Sequence, residues 1–236
     1  MAIDISVYGH LTIDTIFDNS KEYNFGGIAN VWRALKNINS DLIIDISPTQ
    51  YGEALIYVDR DNSKRYSDAL LNMKTFFPDI QKSKISLILY LNELLETKFL
   101  DNLKSYNIAD TCKGKKLNLN LLNNIDLLVS SDEDIPDIKN YTDYFDGIVL
   151  IHSAFGSKLG LRDNYYEFEL DKKNQHSNIN VLGAGDIFLS FLANLILSNK
   201  THALKNKIDQ YDSILKFLPN VHKSTSDYLL KINKID

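Results

Sequence analysis

The chain has 236 residues, of which 44% are hydrophobic and 24% charged, with a formal net charge of -5 and one cysteine, Cys112. That balance excludes a disordered or low-complexity protein and an intramolecular disulfide, and it gives no basic footprint for nucleic acid. No stretch approaches the roughly 20 apolar residues that cross a bilayer, and the first residues carry no basic, apolar leader pattern. The expectation is a cytoplasmic protein with neither a membrane nor a nucleic acid as partner. No linker-like segment or internal repeat interrupts the chain, so residues 1–236 are read as a single domain.

In chain order, residues 5–9 and 11–17 read as two strands around a tight bend at Gly9. Gly26-Gly27 opens a helix over 28–35, with Ile28, Val31 and Leu35 on one face. Residues 41–46 form a short strand, and 54–58 with 64–67 a hairpin closed by Asp61-Asn62. A buried strand over 85–91 leads into a helix over 93–106. The strand at 126–129 is followed by a helix from Ser131 to about Tyr144 with acids in its first turn. The strand at 147–151 comes next, and residues 165–170 form an antiparallel edge. Three helices are expected after Gly185, the last two separated at Pro219. Such alternation, with continuous apolar strands, indicates an α/β fold with a mainly parallel sheet covered on both faces. Ligands of such sheets sit beyond the carboxyl ends of the strands.

Three short motifs carry chemistry. Gly183-Ala184-Gly185-Asp186 runs into an apolar segment in which Phe188, Phe191, Leu192, Leu195 and Ile196 recur at helical spacing. The N–H groups of a helix start lack intrahelical partners and lie at the positive end of the macrodipole, so glycines there make an anion hole. An acid beside that hole can take a proton from a substrate hydroxyl. The plainer alternative is a tight turn with a favourably placed acid. In Phe25-Gly26-Gly27-Ile28-Ala29-Asn30, paired glycines let a ligand approach the backbone, and Asn30 offers a donor and an acceptor. Asp14 lies inside an apolar strand, where it either faces solvent or accepts hydrogen bonds from a polar ligand such as a sugar hydroxyl.

The order Gly9…Asp14, Gly26-Gly27-x-x-Asn30, Gly183-Ala184-Gly185-Asp186 resembles that of the ribokinase-like (PfkB) carbohydrate kinases. The resemblance implies a three-layer sandwich with a mostly parallel sheet flanked by helices. It also implies ATP and Mg²⁺ as cofactors and transfer of the γ-phosphate to a hydroxyl of a sugar, nucleoside or similar small alcohol. On this reading Asp186 is the catalytic base and Gly183, Ala184 and Gly185 form the anion hole. Asp14, Gly26, Gly27 and Asn30 meet the substrate. The strand pair near 51–68 resembles a reduced β-hairpin lid, which excludes water from the transfer. Exposed Tyr57 or Tyr66 on that hairpin suggests lid-to-lid homodimers.

The chain also departs from the family pattern. It is short, with no room between Ile38 and Tyr51 for the usual strand–helix–strand passage. Asn180-Val181 stands where the family has Asp-Thr. The metal-holding Asn-x-x-Glu maps to Ser130-Ser131-Asp132-Glu133, where the Glu survives and the Asn does not. Glu133 is therefore either a metal residue or part of an N-capped acidic helix start. His152-Ser153-Ala154-Phe155-Gly156 replaces the family's Thr-x-Gly stretch near the nucleotide, so the resemblance puts His152, Gly156 and Asn180 on the nucleotide side; His152 either touches a phosphate or ends a strand. An active kinase and a catalytically weak kinase-fold protein that binds a ligand or partner both remain open.

Overall fold

A single long strand organises the molecule. The computed structural model describes residues 2–18, 20–59, 62–65, 71–112, 116–135, 137–170 and 183–232. In it β1 is one strand of 16 residues, Ile3–Asp18. Its first half, with Ile5 and Val7 fully buried, runs parallel to β3 (Ile44–Asp59) on one side and β6 (Ser83–Ile88) on the other. The bend expected at Gly9 is instead a register shift between Gly9 and His10, and the chain continues as strand. An added Cβ at Gly9 would lie 2.9 Å from the Leu89 Cβ, so the glycine serves close packing between neighbouring strands.

β3 likewise merges the two strands expected at 41–46 and 54–58. Pro48, which lacks an N–H, falls opposite Gly9 at the irregularity, where no ladder bond is required. Beyond this point both strands pass the carboxyl ends of the parallel sheet. There β1 pairs antiparallel with β2 (Ser20–Gly27), while β3 pairs antiparallel with β4 (Asn62–Arg65) and β5 (Leu71–Thr75). The expected hairpin is thus present as β3–β4 within a larger extension; its end at Tyr66 and Ser67 lies outside the described residues.

The parallel part continues through β7 (Tyr106–Asp110), β8 (Leu127–Ser131) and β9 (Ile148–Ser153). Antiparallel β10 (Gly156–Leu161) and β11 (Asn164–Glu169) close the edge. The full order is β11-β10-β9-β8-β7-β6-β1-β3-β4, with β2 on β1 and β5 on β3. The antiparallel edge was expected; β10 was not.

The two faces are covered unequally. One carries α1 (Ile28–Ile38), α3 (Ala184–Ser198) and α4 (Lys207–Ile232), packed on strand residues such as Ile5, Val7, Ile85 and Leu87. The other is covered, among the described residues, by 3-10 turns at Leu91–Glu93, Lys98–Asn102 and Leu119–Asn124 and by the four-residue α2 (Lys139–Thr142). The helix expected over 93–106 does not form. Leu91, Leu94, Phe99 and Leu100 are buried at a spacing that suits tight turns rather than an α-helical stripe, and Tyr106 already belongs to β7. The helix expected from Ser131 shrinks to α2, consistent with Pro136 in the sequence disfavouring helix just before it.

At the other end, the described residues after Gly183 form two α-helices rather than three, because α4 runs through Pro219. Proline inside a helix costs about 3 kcal/mol. Burial of Phe217 and Leu218 before it, and of Val221 and His222 after it, holds the helix together across the lost bond. No described helix is long and apolar enough to cross a membrane.

Candidate active site

Asp186 sits in the first turn of α3, behind Gly183, whose φ of 77° is left-handed and suits glycine at this junction. A Cβ at Gly183 would meet nothing nearer than 3.9 Å, and one at Gly185 nothing nearer than the His152 ring at 4.0 Å. The carboxylate itself is 6% exposed and held at both oxygens. Asn30 donates to Oδ2 at 3.0 Å and the Tyr90 hydroxyl to Oδ1 at 3.2 Å. The Asn30 amide is oriented in turn: Arg33 donates to its Oδ1 at 2.6 Å, which leaves the NH₂ to face Asp186. Arg33 also donates to the Phe25 carbonyl at 2.5 Å and to Asn24 Oδ1 at 3.2 Å, tying α1 to β2.

Burial pushes the Asp186 carboxyl up to about 6, and the Asp14 charge adds to this. The bonds from Asn30 and Tyr90 and the Arg33 charge pull the other way. An acid titrating there is mostly ionised near neutrality yet basic enough to receive a proton.

Asp14 is 7% exposed and accepts from Thr12 Oγ1 at 2.6 Å, so it does not face solvent. Gly26 lies against it, since a Cβ there would fall 1.8 Å from Asp14 Oδ2. Asp14, Gly26, Asn30 and Asp186, scattered in sequence, thus share one neighbourhood. Gly27 has a different part. With φ 60° and the position of its absent Cβ 2.1 Å from the His10 carbonyl oxygen, it lets β2 pass β1 and enter α1.

The residues expected on the phosphate-donor side are more dispersed. His152 is part-buried in β9, its ring stacked on Phe188 with centroids 4.4 Å apart. Burial, with His222 nearby, pushes it down to about 4, which favours the neutral ring near the end of β9. Gly156, at φ 153°, answers to the neighbouring strand, because a Cβ would lie 1.9 Å from the Phe168 carbonyl oxygen. Glu133 is exposed in the turn after β8, not in the first turn of a helix. Among the described residues no group of three or more His, Cys, Asp or Glu is disposed to hold a metal ion. Asn180 lies outside the described residues.

Sequence reading missed Tyr90, Asp110 and Arg33. Tyr90 follows β6 with a left-handed φ of 57°, and its N–H donates to Asp110 Oδ1 at 2.5 Å. Asp110 ends β7, and burial, with the Asp186 charge, pushes its carboxyl well above the usual range. Recognising 106–110 as a strand would have placed this acid at the ligand-facing edge.

With this geometry in view, comparison with solved structures defines the fold. A ribokinase from Giardia lamblia superposes with a TM-score of 0.69 at 11% identity, the match covering 95% of this chain and 93% of that one. A Burkholderia thailandensis nucleoside kinase complexed with inosine gives 0.56 at 12%, covering 91% and 90%. A Vibrio cholerae fructokinase bound to fructose, ADP and calcium gives 0.58 at 14%, covering 90% and 89%. No protein-family profile matches the chain, and no curated protein matches its sequence. The fold is therefore ribokinase-like, a mixed sheet with a parallel centre flanked by helices, as the ordered motifs implied.

Proposed function

We propose that the protein is a phosphotransferase that uses ATP to phosphorylate a hydroxyl of a small sugar-like or nucleoside acceptor. The acceptor lies between the β1–β2 extension and α3, near Asp14 and Gly26. Asp186 takes the proton of the acceptor hydroxyl as that oxygen attacks the γ-phosphorus and the bond to ADP breaks. The N–H groups of Gly183, Ala184 and Gly185 meet the negative charge of the transferring phosphoryl group. The whole chain acts as one domain, with the extension built from β1–β5 covering the acceptor and excluding water.

Mg²⁺, when bound with the nucleotide, neutralises phosphate charge. Exposed Glu133, with no group of three or more His, Cys, Asp or Glu disposed to hold a metal among the described residues, fits a metal held mainly by phosphates and water. The observation that carries this reading is a buried carboxylate poised near 6, with both oxygens bonded, in the first turn of a helix that starts at a glycine. It is tested by screening sugars and nucleosides for phosphorylation with Mg·ATP. Transfer by the native protein and its loss in Asp186→Asn support the reading; equal turnover by the two removes Asp186 as base.

The departures Asn180-Val181 and Ser130 in the sequence favour a second reading, in which a kinase-fold protein has lost donor binding and serves as a ligand-binding module. Titration calorimetry with Mg·ATP separates the two: absence of binding at millimolar nucleotide leaves the second.

A further inference from the structure

We propose that Tyr90 and Asp110 are positioning residues for Asp186. Asp110 clamps the Tyr90 backbone, and the Tyr90 phenol fixes one oxygen of the base. The inference rests on the reading of Asp186 as the proton acceptor and extends it to residues that no motif marks.

Tyrosine rarely adopts φ 57°, and such a backbone persists where its surroundings impose it. Here the imposing group is the Asp110 carboxylate, which accepts the Tyr90 N–H at 2.5 Å from the end of the neighbouring parallel strand. The His10 ring, 5.4 Å from the Tyr90 ring, supports it from β1. The phenol then reaches Asp186 Oδ1, while Asn30, oriented by Arg33, takes Oδ2. The ends of β6 and β7 and the start of α1 thus converge on one carboxylate of α3. Each Asp186 oxygen keeps a further lone pair, and its direction is set before any acceptor arrives.

Two buried carboxylates so close do not both ionise readily. Two donors and the Arg33 guanidinium favour the charge on Asp186, whereas burial and the Asp186 charge both push the Asp110 carboxyl upward. Among the described residues, the other ionisable groups near the pair include Asp14 on β1, Asp134 after β8 and His152 on β9, with His10 and its partner Glu93 beside Tyr90. Asp110 needs an acceptor oxygen rather than a charge to hold Tyr90, so asparagine should replace it and alanine should not.

The test is carboxyl-carbon NMR titration of the full chain without ligand, in the native protein and in Tyr90→Phe, Asp110→Asn and Asp110→Ala, with circular dichroism to verify folding. Loss of the phenol bond should raise the Asp186 midpoint by about one pH unit. Asp110→Ala should raise it in the same direction, and Asp110→Asn should leave it within a few tenths of the native value. An unchanged midpoint in folded Tyr90→Phe, or a fall of about a unit or more in Asp110→Asn, overturns the proposal. If Asp110→Ala does not fold, the other two variants still decide. Because the titration needs no substrate, it is separate from the kinase assay: the midpoints can follow the proposal while Asp186→Asn keeps turnover, in which case the assignment of the base alone fails.

Discussion

Replacing Asp186 by asparagine separates the cost of burying a carboxylate from what that carboxylate does. The group is held at about 6, roughly two pH units above its usual value, chiefly by burial. At 1.36 kcal/mol per unit, the ionised form opposes folding by about 3 kcal/mol at neutral pH and above. The sign follows from the raised value: the folded state binds the extra proton, so stability is greatest below pH about 4 and is lost as pH rises through about 6. Asparagine carries no such charge and can still accept from Asn30 with its oxygen while donating to the Tyr90 hydroxyl. Urea unfolding should therefore show Asp186→Asn more stable than the native protein by about 1–3 kcal/mol at pH 8 and equal to it near pH 4. The same variant should lose phosphoryl transfer by about 10²–10⁴-fold, the range for removal of a general base. A variant less stable at pH 8, or stabilised equally at both pH values, would refute the argument that burial of charge sets this carboxylate.

Gly26→Ala should displace Asp14, because the added Cβ falls 1.8 Å from its Oδ2. Calorimetry should then show acceptor binding weakened about tenfold or more, the cost of roughly one misplaced hydrogen bond, with ATP binding unchanged. Gly156→Ala combines φ 153° with a Cβ 1.9 Å from the Phe168 carbonyl oxygen, so denaturant unfolding should show a loss of about 2–4 kcal/mol. Nucleotide affinity of the folded fraction should stay as it was; a large affinity change with unaltered stability would return Gly156 to the phosphate side. His222 bonds Ser157 Oγ through Nε2 at 2.6 Å, and burial pushes it down to about 4. This sign is opposite to that of Asp186: its contribution is fully present above about pH 6.5 and falls away as pH drops toward 4. His222→Gln should lose less stability between pH 7 and pH 4.5 than the native protein, read from urea midpoints at both.

The site was legible in proportion to how locally its chemistry is encoded. Gly183–Asp186 announces itself because glycine, helix start and acid are contiguous. Asp14, Gly26 and Asn30 could be grouped with it from the order of short motifs. Asn30 has a tie that the motif order does not reveal: it donates to Asp186, a partner 156 residues away. Tyr90 and Asp110 carry no such mark: the strand that ends in Asp110 is five residues long and falls just after the helix expected over 93–106, in a stretch whose pattern assigns no element. Pro219 was read as a break because local propensity argues for one; burial on both sides of it decides otherwise.

Phosphoryl transfer itself tests the central claim most directly. Native protein and Asp186→Asn are incubated with γ-labelled Mg·ATP and a panel of sugars and nucleosides, and label in the acceptor is counted. Label in at least one acceptor with the native protein, and almost none with the variant, is the result expected. Mg·ATP bound by the native protein without transfer to any acceptor, or equal labelling by both proteins, would contradict it.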